Sequence, residues 1–97
     1  MCGYTGSVTF TWDARKGLAN LKKHGVDFKE AASAFYDPLS TTFPDDDHSE
    51  TEQRFLTVGR SARGTVLVVA HTEEDDTIRI ISARAATRRE LKFYEEN

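Results

Sequence analysis

Three β-rich runs fill the second half of the chain and leave its fold little freedom. "RFLTVGR" spans 54 to 60, "TVLVVAHT" spans 65 to 72 and "TIRIISAR" spans 77 to 84. Only "SARG" and "EEDD" separate them. A parallel neighbour would need a crossover of about a dozen residues or more, so runs this close pair antiparallel, as a meander. Side chains alternate between the two faces of a strand. That rule puts Arg54, Leu56, Val58 and Arg60 on one face, with Phe55, Thr57 and Gly59 on the other. It groups Leu67, Val69 and His71, and it sets Arg79, Ile81 and Ala83 against Ile78, Ile80, Ser82 and Arg84. Both faces carry apolar residues, so helices or a partner are expected on both sides of the sheet.

The first half supplies the helices. "VTFTW" (8 to 12) is β-branched and aromatic and reads as a strand. Asp13 offers a helix N-cap, and Ala14, Leu18 and Leu21 then recur at helical spacing. Gly25 stands where a left-handed residue ends a helix. Asp27 and Glu30 form an acidic variant of the capping box, opening a second helix with Phe28, Ala31, Ala32, Ala34 and Phe35 as its core face. Asp37-Pro38 stops it. "LSTTF" (39 to 43) is a candidate short strand, and "PDDDHSETE" is a polar, acidic loop. The tail "ATRRELKFYEE" reads as a last helix, with Thr87 as its cap and Leu91 and Tyr94 at helical spacing. The expected order is β-α-α-β-β-β-α, an α+β fold with a mainly antiparallel sheet.

At 97 residues the chain has room for one domain, 1–97, with residues 1–7 a loose N-terminal extension. No apolar run approaches the roughly 20 residues of a membrane-spanning helix. The start, "MCGYTGSVTF", has no basic and apolar leader pattern, and Cys2 has no second cysteine to pair with. A reducing, cytoplasmic setting without membrane is the expectation. The net charge of −3 argues mildly against nucleic acid, but its distribution is uneven. Residues 14 to 24 hold Arg15, Lys16, Lys22 and Lys23 without an acid, and residues 79 to 92 hold five cations against Glu90. The acids gather at 45 to 52, 73 to 76 and 95 to 96.

The words "FTWD", "NLKKHGVDFKEA", "DPL", "DHSETEQRFLTVGRS", "LVVAHTE" and "IRIISARAATRRE", with Tyr94, resemble the BrnT family from about residue 10 to residue 95. The resemblance implies a RelE-like ribonuclease fold and a toxin of a type II toxin–antitoxin pair. It implies an RNA endonuclease that inhibits translation and growth, with no metal and no cofactor. It implies a BrnA-like ribbon-helix-helix antitoxin, in an assembly of two toxins and two antitoxins. Operator DNA would be reached only through that antitoxin.

Metal-independent cleavage of RNA needs a base for the 2′-hydroxyl, an acid for the 5′-oxygen and cations around the phosphate. Histidine suits the first two roles, arginine and lysine the third. The catalytic candidates are Lys23, His24, His71, Arg79 and Arg84, and the RNA-binding candidates are Lys22, Arg60, Arg88 and Tyr94. Each has a plainer reading beside it. Lys22, Lys23 and His24 suit a helix C-terminus, Arg79 suits a cross-strand ion pair, His71 suits a strand end, and Tyr94 suits the core. Glu50 and Glu52 could also act as a base. His48 and the acids around it match no EF-hand, and the histidines and Cys2 have no zinc spacing, so no metal site is expected. Two other readings compete: an antitoxin-binding corepressor module without ribonuclease activity, and a DNA-binding regulator built on the two helices at 14 to 36. The second is weak, because "FKEAASAFYD" is short of base-reading donors.

Overall fold

The computed structural model describes residues 8–48 and 51–96. The expected extension at 1–7, and Glu50, lie outside these residues. The order is β1 (Thr9–Thr11), α1 (Ala14–His24), α2 (Phe28–Ser33), β2 (Thr41–Pro44), β3 (Phe55–Arg60), β4 (Val66–Glu74), β5 (Thr77–Ala85) and α3 (Arg88–Glu96). Single 3-10 turns follow α2 at Ala34–Tyr36 and precede β3 at Asp46–His48. The expected order was short by one strand: "LSTTF" does pair, as β2 against β3.

Local signals set the helix ends. The Asp13 carboxylate accepts hydrogen bonds from the backbone N–H groups of Arg15 and Lys16. Gly25 closes α1 at φ 72°, a conformation that side chains with a Cβ rarely adopt. Asp27 accepts from Glu30 N at 2.7 Å. The reciprocal half of that capping box is absent, because the Glu30 carboxylate instead accepts from Ser61 Oγ. At α3 the box is complete. Thr87 Oγ1 accepts from Glu90 N, and Glu90 Oε1 accepts from Thr87 N.

The five strands lie in the order β1-β5-β4-β3-β2. All pairs are antiparallel except β1 with β5. α1 and α2 cover one face, over a core of Phe28, Ala31, Phe35, Leu67, Val69 and Ile80. α3 covers part of the other, where Tyr94 and Leu91 meet Val58, Val66 and Val68. Both faces are therefore apolar, as the strands require, but α3 spans only part of its side.

Candidate functional site

One irregularity in β5 decides which residues meet. Arg79 and Arg84 are five positions apart, so strict alternation assigns them to opposite faces. The register does not follow strict alternation. Thr72 stands opposite Arg79 and His71 opposite Ile80, but Ala70 stands opposite Ser82 and Val68 opposite Arg84, with a bulge between Ala70 and His71. Cross-strand partners share a face. The bulge absorbs Ile81 and brings Arg79, Ser82 and Arg84 to one side, while Ile78, Ile80 and Ala83 all enter the helix-covered core. The expected split of β5 into faces is corrected at this point. β-bulges re-aim side chains in this way. The two arginine positions are about 15 Å apart along the strand.

Each arginine has a carboxylate partner. Arg79 donates to Glu52 Oε1 at 2.6 Å, and both side chains are nearly half exposed. Glu52 comes from the loop before β3. Together with Gln53, Thr11, Thr72 and Thr77 it lines a cleft around Arg79, which Glu73 and Glu74 also border. Arg84 donates two hydrogen bonds to Glu90, at 2.6 and 2.9 Å. This pairing raises the Arg84 pKa. It also holds Glu90 down at about 2, helped by the Thr87 N–H and opposed by burial. Glu90 thus ties Arg84 to the first turn of α3. Arg54 precedes β3, on the same face as Leu56 and Val58 by alternation.

The other expected residues lie elsewhere. His71 points into the helix-covered core, not into a cleft. Its ring meets Phe35 edge-on and stacks on Phe55. Nε2 is 2.7 Å from Thr57 Oγ1, which in turn is 2.7 Å from Thr42 Oγ1. Burial pushes the imidazole down to about 4, although the Glu73 carboxylate lies 3.4 Å from Nδ1. His71 is thereby a neutral core residue, out of reach of a phosphate. Tyr94 is buried and donates to Asp37 Oδ2 at 2.5 Å, and Arg60 sits over its ring and donates to Gly64 O. Those two residues hold α3 and the β3–β4 turn in place. Lys22, Lys23 and His24 are exposed at the end of α1, on the opposite layer from Arg79 and Arg84. Arg88 is exposed in the first turn of α3. His48 bonds to Asp45 in the acidic loop. Among the described residues no three His, Cys, Asp or Glu side chains are placed to hold a metal ion.

Comparison with known proteins identifies the family of the chain. The family described as "Ribonuclease toxin, BrnT, of type II toxin-antitoxin system" matches residues 12–90. The chain belongs to the BrnT family. Membership implies an RNA target and an antitoxin partner. The chain is also similar in fold to the crystal structure of the Brucella abortus ribonuclease toxin BrnT, determined at 1.1 Å resolution, with a TM-score of 0.60. That match covers 84% of this chain and 100% of the other, at 23% identity. The curated proteins give no match. Among the described residues no helix is long and apolar enough to cross a membrane.

Sequence reasoning missed the partnership of Arg84 with Glu90 and the placement of Arg79 and Arg84 on one face of the sheet. The sequence carries no distinct trace of the bulge, because aliphatic residues in succession also occur at Val66 to Val69, where the register is regular.

Proposed function

We propose that this BrnT-family chain is an endoribonuclease that cuts RNA on the open part of the α3 side of the sheet, without a metal. The observation that carries the reading is the pair of arginines on one face, with a carboxylate 2.6 Å from one of them. Arg79 and Arg84 hold successive regions of the phosphate backbone, and the planar guanidinium fork suits that task. Glu52 takes the proton of the 2′-hydroxyl as that oxygen attacks phosphorus. The bond from phosphorus to the 5′-oxygen breaks, the leaving oxygen takes a proton from water, and the proton on Glu52 then neutralises the hydroxide left behind. The products are a 2′,3′-cyclic phosphate and a 5′-hydroxyl. The Arg79 guanidinium, already beside Glu52, stabilises the added charge on the phosphate.

The wider setting is part of the same proposal, and family membership supports it. The chain acts as one RelE-like domain in the cytoplasm and inhibits translation. A ribbon-helix-helix antitoxin neutralises it in a complex of two toxins and two antitoxins. That complex reaches operator DNA through the antitoxin.

The test is cleavage of labelled single-stranded RNA, and of RNA on translating ribosomes, by purified antitoxin-free protein in EDTA. Arg79→Ala and Glu52→Gln should each slow cutting by roughly 100-fold or more, the usual effect of losing an oxyanion donor or a general base. His24→Ala should cut like the wild type. Full activity in both Arg79→Ala and Glu52→Gln would remove the chemistry from this face. Loss of activity in His24→Ala alone would move it to the end of α1. No cutting by folded wild type on either substrate would leave an antitoxin-binding module.

A further inference from the structure

α1 presents its apolar residues to solvent. Leu18 is 68% exposed, Leu21 44% and the neighbouring Trp12 40%. Ala14, Leu18 and Leu21 are neighbours at i, i+4 and i+3, so they form one stripe along the helix. The side chain that α1 does bury is Asn20. Trp12 crosses Phe28 edge-on at 6.0 Å and leans over Gly17, so the stripe continues into a groove whose floor is Phe28 and whose far wall is Lys29. On the outer flank Arg15 and Lys22 lie one turn either side of Leu18. Arg15, Lys22 and Lys29 make no ion pair among the described residues. The one acid lining the groove, Asp27, already accepts a hydrogen bond from Glu30 N.

We infer that this groove is the anchoring site for the antitoxin, and that it takes an amphipathic segment with apolar residues on one side and acidic residues beside them. The inference rests on the chain being one half of a toxin–antitoxin pair. Charge complementarity selects the occupant: an apolar stripe edged by three cations fits a partner that is apolar and acidic. RNA fits poorly, since bases stack on aromatic and guanidinium planes and leave the aliphatic Leu18 and Leu21 unmatched. A second copy of this chain also fits poorly, because a two-fold pairing would set the same cations against each other. The groove lies on the helix-covered side of the sheet, away from Arg79 and Arg84. Anchoring and cutting are therefore separable.

The experiment mixes the purified full chain with the antitoxin protein of its own pair and reads affinity by titration calorimetry. RNA cleavage with and without that antitoxin is measured alongside. Leu18→Glu/Leu21→Glu should bind at least 100-fold more weakly, and Lys29→Glu at least 10-fold more weakly. Both should keep wild-type cutting of RNA and escape suppression by the antitoxin, with wild-type circular dichroism. Wild-type affinity in the double variant would overturn the groove while leaving the pair intact. No binding by the wild type would overturn the pair and the groove together. Normal antitoxin binding with lost RNA affinity in the double variant would assign the groove to RNA. A wild-type dimer that the double variant dissociates, with antitoxin affinity unchanged, would assign it to a second copy.

Discussion

Asn20 holds the α1 layer to the sheet, and its removal should be felt throughout the molecule. β1 ends at Thr11, opposite Arg79. Beyond that point the outward backbone groups of β5 face no strand. Asn20 replaces the missing strand at Ala83: its Oδ1 accepts from Ala83 N at 3.0 Å and its Nδ2 donates to Ala83 O at 2.8 Å. The same amide group donates to Val26 O at 2.9 Å, fixing the turn after α1. Asn20, Val26 and Ala83 are all buried. Asn20→Ala therefore strips the partners from three buried backbone groups. At about 1 kcal/mol for each net hydrogen bond, the loss is about 3 kcal/mol, and more where water cannot replace the amide. For a domain of this size about 3 kcal/mol lowers Tm by roughly 12 to 24 °C. Thermal unfolding followed by circular dichroism measures this, and hydrogen exchange at the Ala83 amide reports the bond itself. Asn20→Asp should be no better, since a carboxylate would face two carbonyl oxygens. A fall of less than about 4 °C in Asn20→Ala, with Ala83 still protected, would refute the idea that the side chain stands in for a strand.

Two further perturbations test the interior. His71 titrates at about 4 in the fold, against 6.5 for a free imidazole, because burial disfavours the charged ring. The unfolded chain thus takes up a proton below pH 6.5 that the folded chain refuses. Stability is full above that pH and falls as the pH drops towards 4, by about 2 kcal/mol at pH 5. Urea unfolding at pH 7 and pH 5 should show this decline in the wild type and a much smaller one in His71→Gln, and equal declines would refute the assignment. Gly59→Ala should destabilise by about 1–3 kcal/mol or more, since its Cβ would stand 2.5 Å from Ala34 O and 3.0 Å from Ser40 Cβ. An unchanged melting temperature would mean that the turn after α2 moves aside.

What the sequence revealed and what it hid divide along a physical line. Helix ends depend on residues within a few positions of one another, so Asp13, Gly25, Asp27 and Thr87 were legible as caps. The antiparallel meander was legible because its connections are too short for anything else. The bulge in β5 was not, because register is a property of two strands. Asn20, a polar residue between Leu18 and Leu21, is buried while the leucines are exposed. Periodicity located an apolar stripe on α1 but could not say whether the protein's own core or a partner would cover it. His71 follows five apolar residues, Val66 to Ala70, and alternation sets it on the same face as the buried Leu67 and Val69.

The net charge of −3 misleads for a related reason. Many of the acids in this chain are engaged by the fold. Asp13 and Asp27 accept from backbone N–H groups at helix starts. Asp37 accepts from the N–H groups of Leu39 and Arg60 and from the Tyr94 hydroxyl. Burial opposes the charge on Asp37, yet those bonds hold its pKa below the usual value. Glu30 accepts from Ser61, and Glu90 caps α3 while gripping Arg84. Arg15, Lys22 and Lys29 make no ion pair among the described residues, and they meet solvent around α1. A polyanion or an acidic peptide responds to local potential rather than to the sum over the chain. A globally acidic protein can thus offer arginines on one layer and a lysine-edged apolar groove on the other.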